Sequence, residues 1–143
     1  MTVTDDDLRD RLAIMATLAE LAAAIDARDW PAVAAVFNED ATAYGAEGVD
    51  AILRRMREHL DGCGPTQHLI GNHRITVDGD SARSRSAARV HHVGAGAYQG
   101  RFFECLGDYE DHWVRVTGSG WRLCYRRFDM RITLGDRGVL RPA

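Results

Sequence analysis

The 143-residue sequence is short of cysteine, of surplus positive charge and of long apolar runs, and each shortage removes a class of protein. Its three cysteines, Cys63, Cys105 and Cys124, form no CxxC pair. An odd number without a secretory leader argues against a disulfide framework and a cysteine-built zinc site, and suits reduced thiols in a cytoplasm. A formal charge of -3 gives no general affinity for phosphate backbones or anionic lipid, so neither nucleic acid nor a membrane surface is an expected partner. The apolar run from Leu12 to Ile25 is too short to span a bilayer and carries Glu20, and the start is acidic (Asp5, Asp6, Asp7) where a signal peptide is basic. No HExxH, P-loop, GxGxxG or GxSxG pattern occurs, which removes the usual sequence arguments for zinc proteases, nucleotide enzymes and serine hydrolases.

What is present fits one domain spanning residues 1–143, with enough apolar residues for a real core. Leu8, Leu12, Met15, Leu18, Ala22 and Ile25 recur at helical spacing behind a Thr4 cap, which predicts a helix over about residues 5–27. Asp29 caps a second helix starting near Pro31, with Val33, Val36 and Phe37 as its apolar face. A third, near 49–60, turns Ile52, Leu53, Met56 and Leu60 inward and its arginines outward. After the turn chemistry of residues 61–65 the helical period stops. Strands are predicted at about 67–77, 81–93, 101–116 and 121–134, joined by glycine-containing bends. Helices first and an antiparallel meander after them imply an α+β fold, with a curved sheet closing over the helices.

Asp26 falls four residues after Ala22, at the edge of the first helix's apolar stripe. A carboxylate there is either partnered, because desolvation costs several kcal/mol, or solvated in the last turn; the spacing leaves both readings open. His68 opens the first long strand, on the face that period two shares with Ile70 and Asn72, and is either a base or a structural side chain. His91 and His92 must point to opposite faces, so they cannot easily chelate one ion, and no metal is expected. His73 falls opposite His68, and His59 lies in the basic end of the third helix; both read as surface or packing residues.

At these residues the sequence resembles the SnoaL-like branch of the cone-shaped nuclear-transport-factor superfamily, and within it scytalone dehydratase and its relatives. The segment Ala24-Ile25-Asp26-Ala27-Arg28-Asp29-Trp30 is similar to the family's helix end, whose Asp orients a catalytic histidine. Thr66-Gln67-His68-Leu69-Ile70-Gly71 is similar to the strand that carries that histidine. Arg89-Val90-His91-His92 resembles the strand whose final histidine lines the pocket, and Tyr44 matches a tyrosine that helps polarise the substrate carbonyl. The resemblance runs from about Leu12 to Ile132 and implies three helices on a strongly curved antiparallel sheet enclosing a pocket. It implies Asp26, His68, His92 and Tyr44 as catalytic residues; Arg126, Glu110, Asp108, Trp30 and Asn72 are the expected substrate contacts, with a surface role for Arg126 left equally open by its neighbours Arg122 and Arg127. Ile25, where the dehydratase has a second tyrosine, and acidic Asp108 and Glu110, where it has small neutral residues, point away from scytalone itself.

The activity so implied is a cofactor-independent elimination: removal of a proton α to a carbonyl of a small hydroxylated cyclic or polyketide-type substrate, with loss of water. Isomerisation or aldol-type cyclisation from the same dyad, and ligand binding without catalysis, remain alternatives. The expected partners are a small molecule and further copies of the chain, most simply in a homodimer.

Overall fold

The computed structural model describes residues 2–140. Thr4 starts the first helix as its sequence requires: its hydroxyl accepts the Asp7 N–H and the Asp7 carboxylate accepts the Thr4 N–H. Helix α1 spans Asp5–Asp26, α2 Trp30–Val36 and α3 Val49–Leu60. Asp29 caps α2 by accepting the Ala32 N–H. The strands are β1 (Phe37–Ala43), β2 (Ala46–Glu47), β3 (Thr66–Asp78), β4 (Ser81–Val93), β5 (Phe102–Val116) and β6 (Gly120–Gly135). Two 3-10 turns complete the chain, η1 (Gly96–Tyr98) and η2 (Arg137–Leu140). Among the described residues no helix is long and apolar enough to cross a membrane.

The four long strands form the predicted antiparallel meander. The sheet is wider than the sequence suggests, and mixed rather than purely antiparallel: its order is β2-β1-β6-β5-β4-β3, and β1 runs parallel to β6. Strand β1 buries Phe37, Ala41 and Ala43 but leaves Glu39 and Asp40 exposed, so it lacks the alternation that marks a strand.

The main core joins Ile14, Leu18, Leu21 and Ile25 of α1 to Val33, Phe37, Ile52, Met56, Trp113 and Leu123. The predicted α1 stripe is therefore corrected in its first half. Leu8, Leu12 and Met15 are exposed, because they lie about 100–160° around the helix from Ile14. A smaller cluster joins Val90, Phe103 and Cys105 of β4 and β5 to Val139 of η2.

Strand register shifts at several points, two of which change which side chains face inward near the cavity. In β3 the register with β4 shifts between Gly71 and Arg74, where Asn72 takes a left-handed conformation with φ 50°. His73, predicted opposite His68, is thereby turned inward, and its Nδ1 lies 2.9 Å from the hydroxyl of buried Ser86. In β6 a shift between Leu123 and Tyr125 turns both Leu123 and Arg126 into the interior.

Candidate functional site

The site begins where α1 stops. Asp26 is the helix's last residue, and the chain returns alongside it at the start of β3. One Asp26 oxygen lies 2.6 Å from His68 Nδ1 and accepts the Thr66 hydroxyl at 2.9 Å, while the other accepts the His68 backbone N–H at 2.9 Å. Arg28 ties the corner together by donating to the Thr66 hydroxyl, the Gly64 carbonyl and the Ile25 carbonyl at 2.8–3.0 Å. Burial pushes the Asp26 carboxyl up, but the bonds from the His68 ring, the His68 backbone and Thr66 outweigh it and hold the group below the usual carboxylate range. An ionised Asp26 only accepts, so Nδ1 of His68 carries the proton and Nε2 keeps its lone pair.

His68 lines a cavity of about 460 Å3 together with Tyr44, His92 and Tyr109, a size that suits a small organic ligand. His92 is buried, and its Nδ1 donates to the Phe103 carbonyl at 2.9 Å. Burial lowers its pKa, aided by the nearby His68, His91 and Arg28, against the opposing effect of the Phe103 bond; His92 is therefore neutral at pH 7. Tyr44 sits in a left-handed turn, φ 54°, with its carbonyl accepting from Arg55 at 3.2 Å. Val90, Phe128, Met130 and Leu140 supply apolar wall.

Tyr109 is among the lining residues that escaped the sequence reading. Tyr109 lies two and four residues before the inward Asp111 and Trp113, so period two on β5 marks it. Its ring stacks between the Arg126 guanidinium, 3.9 Å from the centroid, and Phe128 at 4.8 Å, and burial drives its pKa well above 10. His59, read as a surface or packing residue, is exposed and also lines the cavity at its rim.

Five predicted substrate contacts lie elsewhere. Arg126 is 2% exposed, and its Nε and a terminal nitrogen donate to Asp111 at 2.7 and 3.0 Å; it braces Tyr109 and does not line the cavity. Asp108 and Glu110 alternate with the inward Tyr109 and Asp111, so they occupy the outer face of β5. There Asp108 pairs with Arg131 at 2.9 Å and Glu110 with Arg127 at 2.8 Å. Asn72 is exposed at the β3 bulge and, with Asp108, borders a separate outer groove. Trp30 opens α2 and packs against the main core, with the Arg57 guanidinium 5.8 Å from its ring. Among the described residues no three potential ligands gather as a metal site.

Three helices on a mixed six-stranded sheet give the chain the α+β fold of the NTF2-like proteins, among them one from Salmonella enterica with a TM-score of 0.75 at 14% identity over 87% of this chain and 92% of its own. The chain belongs to the SnoaL-like domain family, which matches residues 6–127. An uncharacterized protein of Mycobacterium tuberculosis is 35% identical over 128 residues, 84% of each chain. Among solved structures, a Novosphingobium aromaticivorans protein provisionally named an aromatic ring hydroxylase superposes with a TM-score of 0.84 at 26% identity, covering 94% of this chain and 98% of its own. A second protein from that organism, provisionally named a scytalone dehydratase, gives 0.82 at 24% identity over 91% and 89%, a likeness of fold.

Proposed function

We propose that the protein is a cofactor-independent lyase that removes a proton α to a carbonyl of a small hydroxylated cyclic or polyketide-type substrate and releases water. The 2.6 Å contact between Asp26 and His68 Nδ1, at the wall of the cavity, carries this reading. His68 Nε2 takes the α proton, and Asp26 stabilises the imidazolium so formed. The hydroxyls of Tyr44 and Tyr109 donate to the enolate-like oxygen as charge develops there. Neutral His92 accepts a hydrogen bond from a substrate hydroxyl and holds it in place. The proton for the departing hydroxyl then comes from His68 itself: the C–O bond breaks, the C=C bond forms, and water leaves on the face from which the proton was taken. A positioned base is worth roughly 10²–10⁴ in rate. The dehydratase among the structural neighbours supports the reaction class only through its fold.

The test is a panel of hydroxylated cyclic ketones in D2O, followed by NMR for exchange at the α carbon and by absorbance for the conjugated product. Exchange with water loss is expected from the wild type, and isomerised or cyclised product would redirect the reading. His68→Ala should lose turnover while ligand affinity stays within about tenfold, since proton transfer belongs to the transition state. Asp26→Asn should be nearly inactive, with the double variant little worse than either single one. Full activity in His68→Ala would sink the mechanism.

A further inference from the structure

Every basic residue of the 18 in this sequence is an arginine. Among the described residues two of them, Arg55 and Arg137, line the dyad's cavity beside His59, and no Asp or Glu side chain does. Arg55 and His59 stand one turn apart on α3 and share a face; Arg137 comes from η2, which packs against α3. These three are exposed, whereas His92, Val90, Cys105 and Tyr109 at the inner end are buried. The cavity thus has a cationic rim and a neutral, largely apolar interior.

The rim's charge is not spent on protein partners. Arg55 has one carboxylate near it among the described residues, Glu58 at 3.9 Å, with side chains 47% and 67% exposed. Such a pair is too weak and too wet to withhold a guanidinium from a ligand. The Arg55 bond to the Tyr44 carbonyl at 3.2 Å uses one terminal nitrogen and holds the side chain over the cavity. His59 Nδ1 lies 2.8 Å from the Arg55 carbonyl, which leaves Nε2 uncommitted.

We infer that the substrate carries a carboxylate on its non-reacting side, and that Arg55 and Arg137 clasp it at the rim while its ring reaches inward to His68. This rests on the reading of His68 as the base. The planar guanidinium matches a carboxylate with two parallel hydrogen bonds, so the rim fixes orientation as well as affinity. An anchored carboxylate determines which carbon meets His68 Nε2. A cationic ligand meets two guanidiniums and no opposing charge in the lining.

The experiment is isothermal titration of the whole chain with 2-naphthoate and with its uncharged counterpart 2-naphthamide, at pH 7.5 and low salt. Naphthoate should bind at least about tenfold more tightly, the value of one charge-assisted hydrogen-bond pair in a partly wet site. That preference should shrink with added salt and collapse in Arg137→Gln and Arg55→Gln. Arg137→Lys, which keeps the charge, should retain most of it. Naphthoate should also shift the His68 and His92 ring signals in NMR spectra. The same preference should persist in His68→Ala, so the anchoring and the proton abstraction succeed or fail separately. Equal affinity for the two ligands, no binding of either at millimolar concentration, unshifted histidine signals, or a preference untouched in both glutamine variants would overturn the inference.

Discussion

Asp26 and His92 both have depressed pKa values, from different causes and with the same consequence. Asp26 is held down by hydrogen bonds, so its contribution to stability is present above the unfolded value of 3.8 and is lost as pH falls through the folded one. His92 is held down chiefly by burial. Below 6.5 the unfolded chain takes up a proton that folded His92 refuses, so this residue makes stability decline as pH drops from about 6.5 towards its folded value. The unfolding free energy from urea titration should therefore fall between pH 7 and pH 5, by at most about 1.4 kcal/mol per pH unit for this one proton. His92→Gln should flatten the slope; an unchanged slope would assign the effect to other groups.

The elements show which parts of a sequence speak locally. Thr4 and Asp29 announced their helices because a cap bonds within three residues of itself. Strands β3 to β6 were legible from their turns. Strand β1 was not, since its broken alternation makes sense only against β6, where Phe37 pairs with Leu123. The positions of Asp26 and His68 were readable mainly through family resemblance, being lone residues 42 apart that only the fold joins. Where Arg126 points was not legible because its phase depends on the β6 bulge, and Asn72 departs from the His68 face because its own bulge ends the period-two rule that placed it there. That bulge makes a prediction. Asn72 adopts φ 50°, which asparagine and glycine tolerate and a β-branched residue does not. Asn72→Gly should leave stability nearly unchanged, whereas Asn72→Val should cost about 1–3 kcal/mol in denaturant unfolding. Equal stability of the two would show that the bulge relaxes freely.

Across the whole molecule, the outer face of the sheet keeps Leu69, Ile132 and Leu134 about half exposed among ion pairs such as Arg89–Glu104 and Arg131–Asp108. Apolar side chains framed by paired charges of both signs suit contact with a second copy, and we expect a homodimer through this face. Sedimentation at micromolar concentration should give twice 15.9 kDa, and Ile132→Asp should give the single chain. A wild-type sample sedimenting at 15.9 kDa would remove the expectation. On the inner side, the cavity draws on two separate sources. The dyad and its hydrogen bonds come from the end of α1 and the start of β3, whereas Met56, Phe128, Met130 and Leu140 come from α3, β6 and η2 and touch none of those bonds. Reactivity and shape are thus inherited in different stretches of chain. Substitutions confined to the wall residues can therefore reshape the cavity while the hydrogen bonds that hold Asp26 and His68 together stay in place.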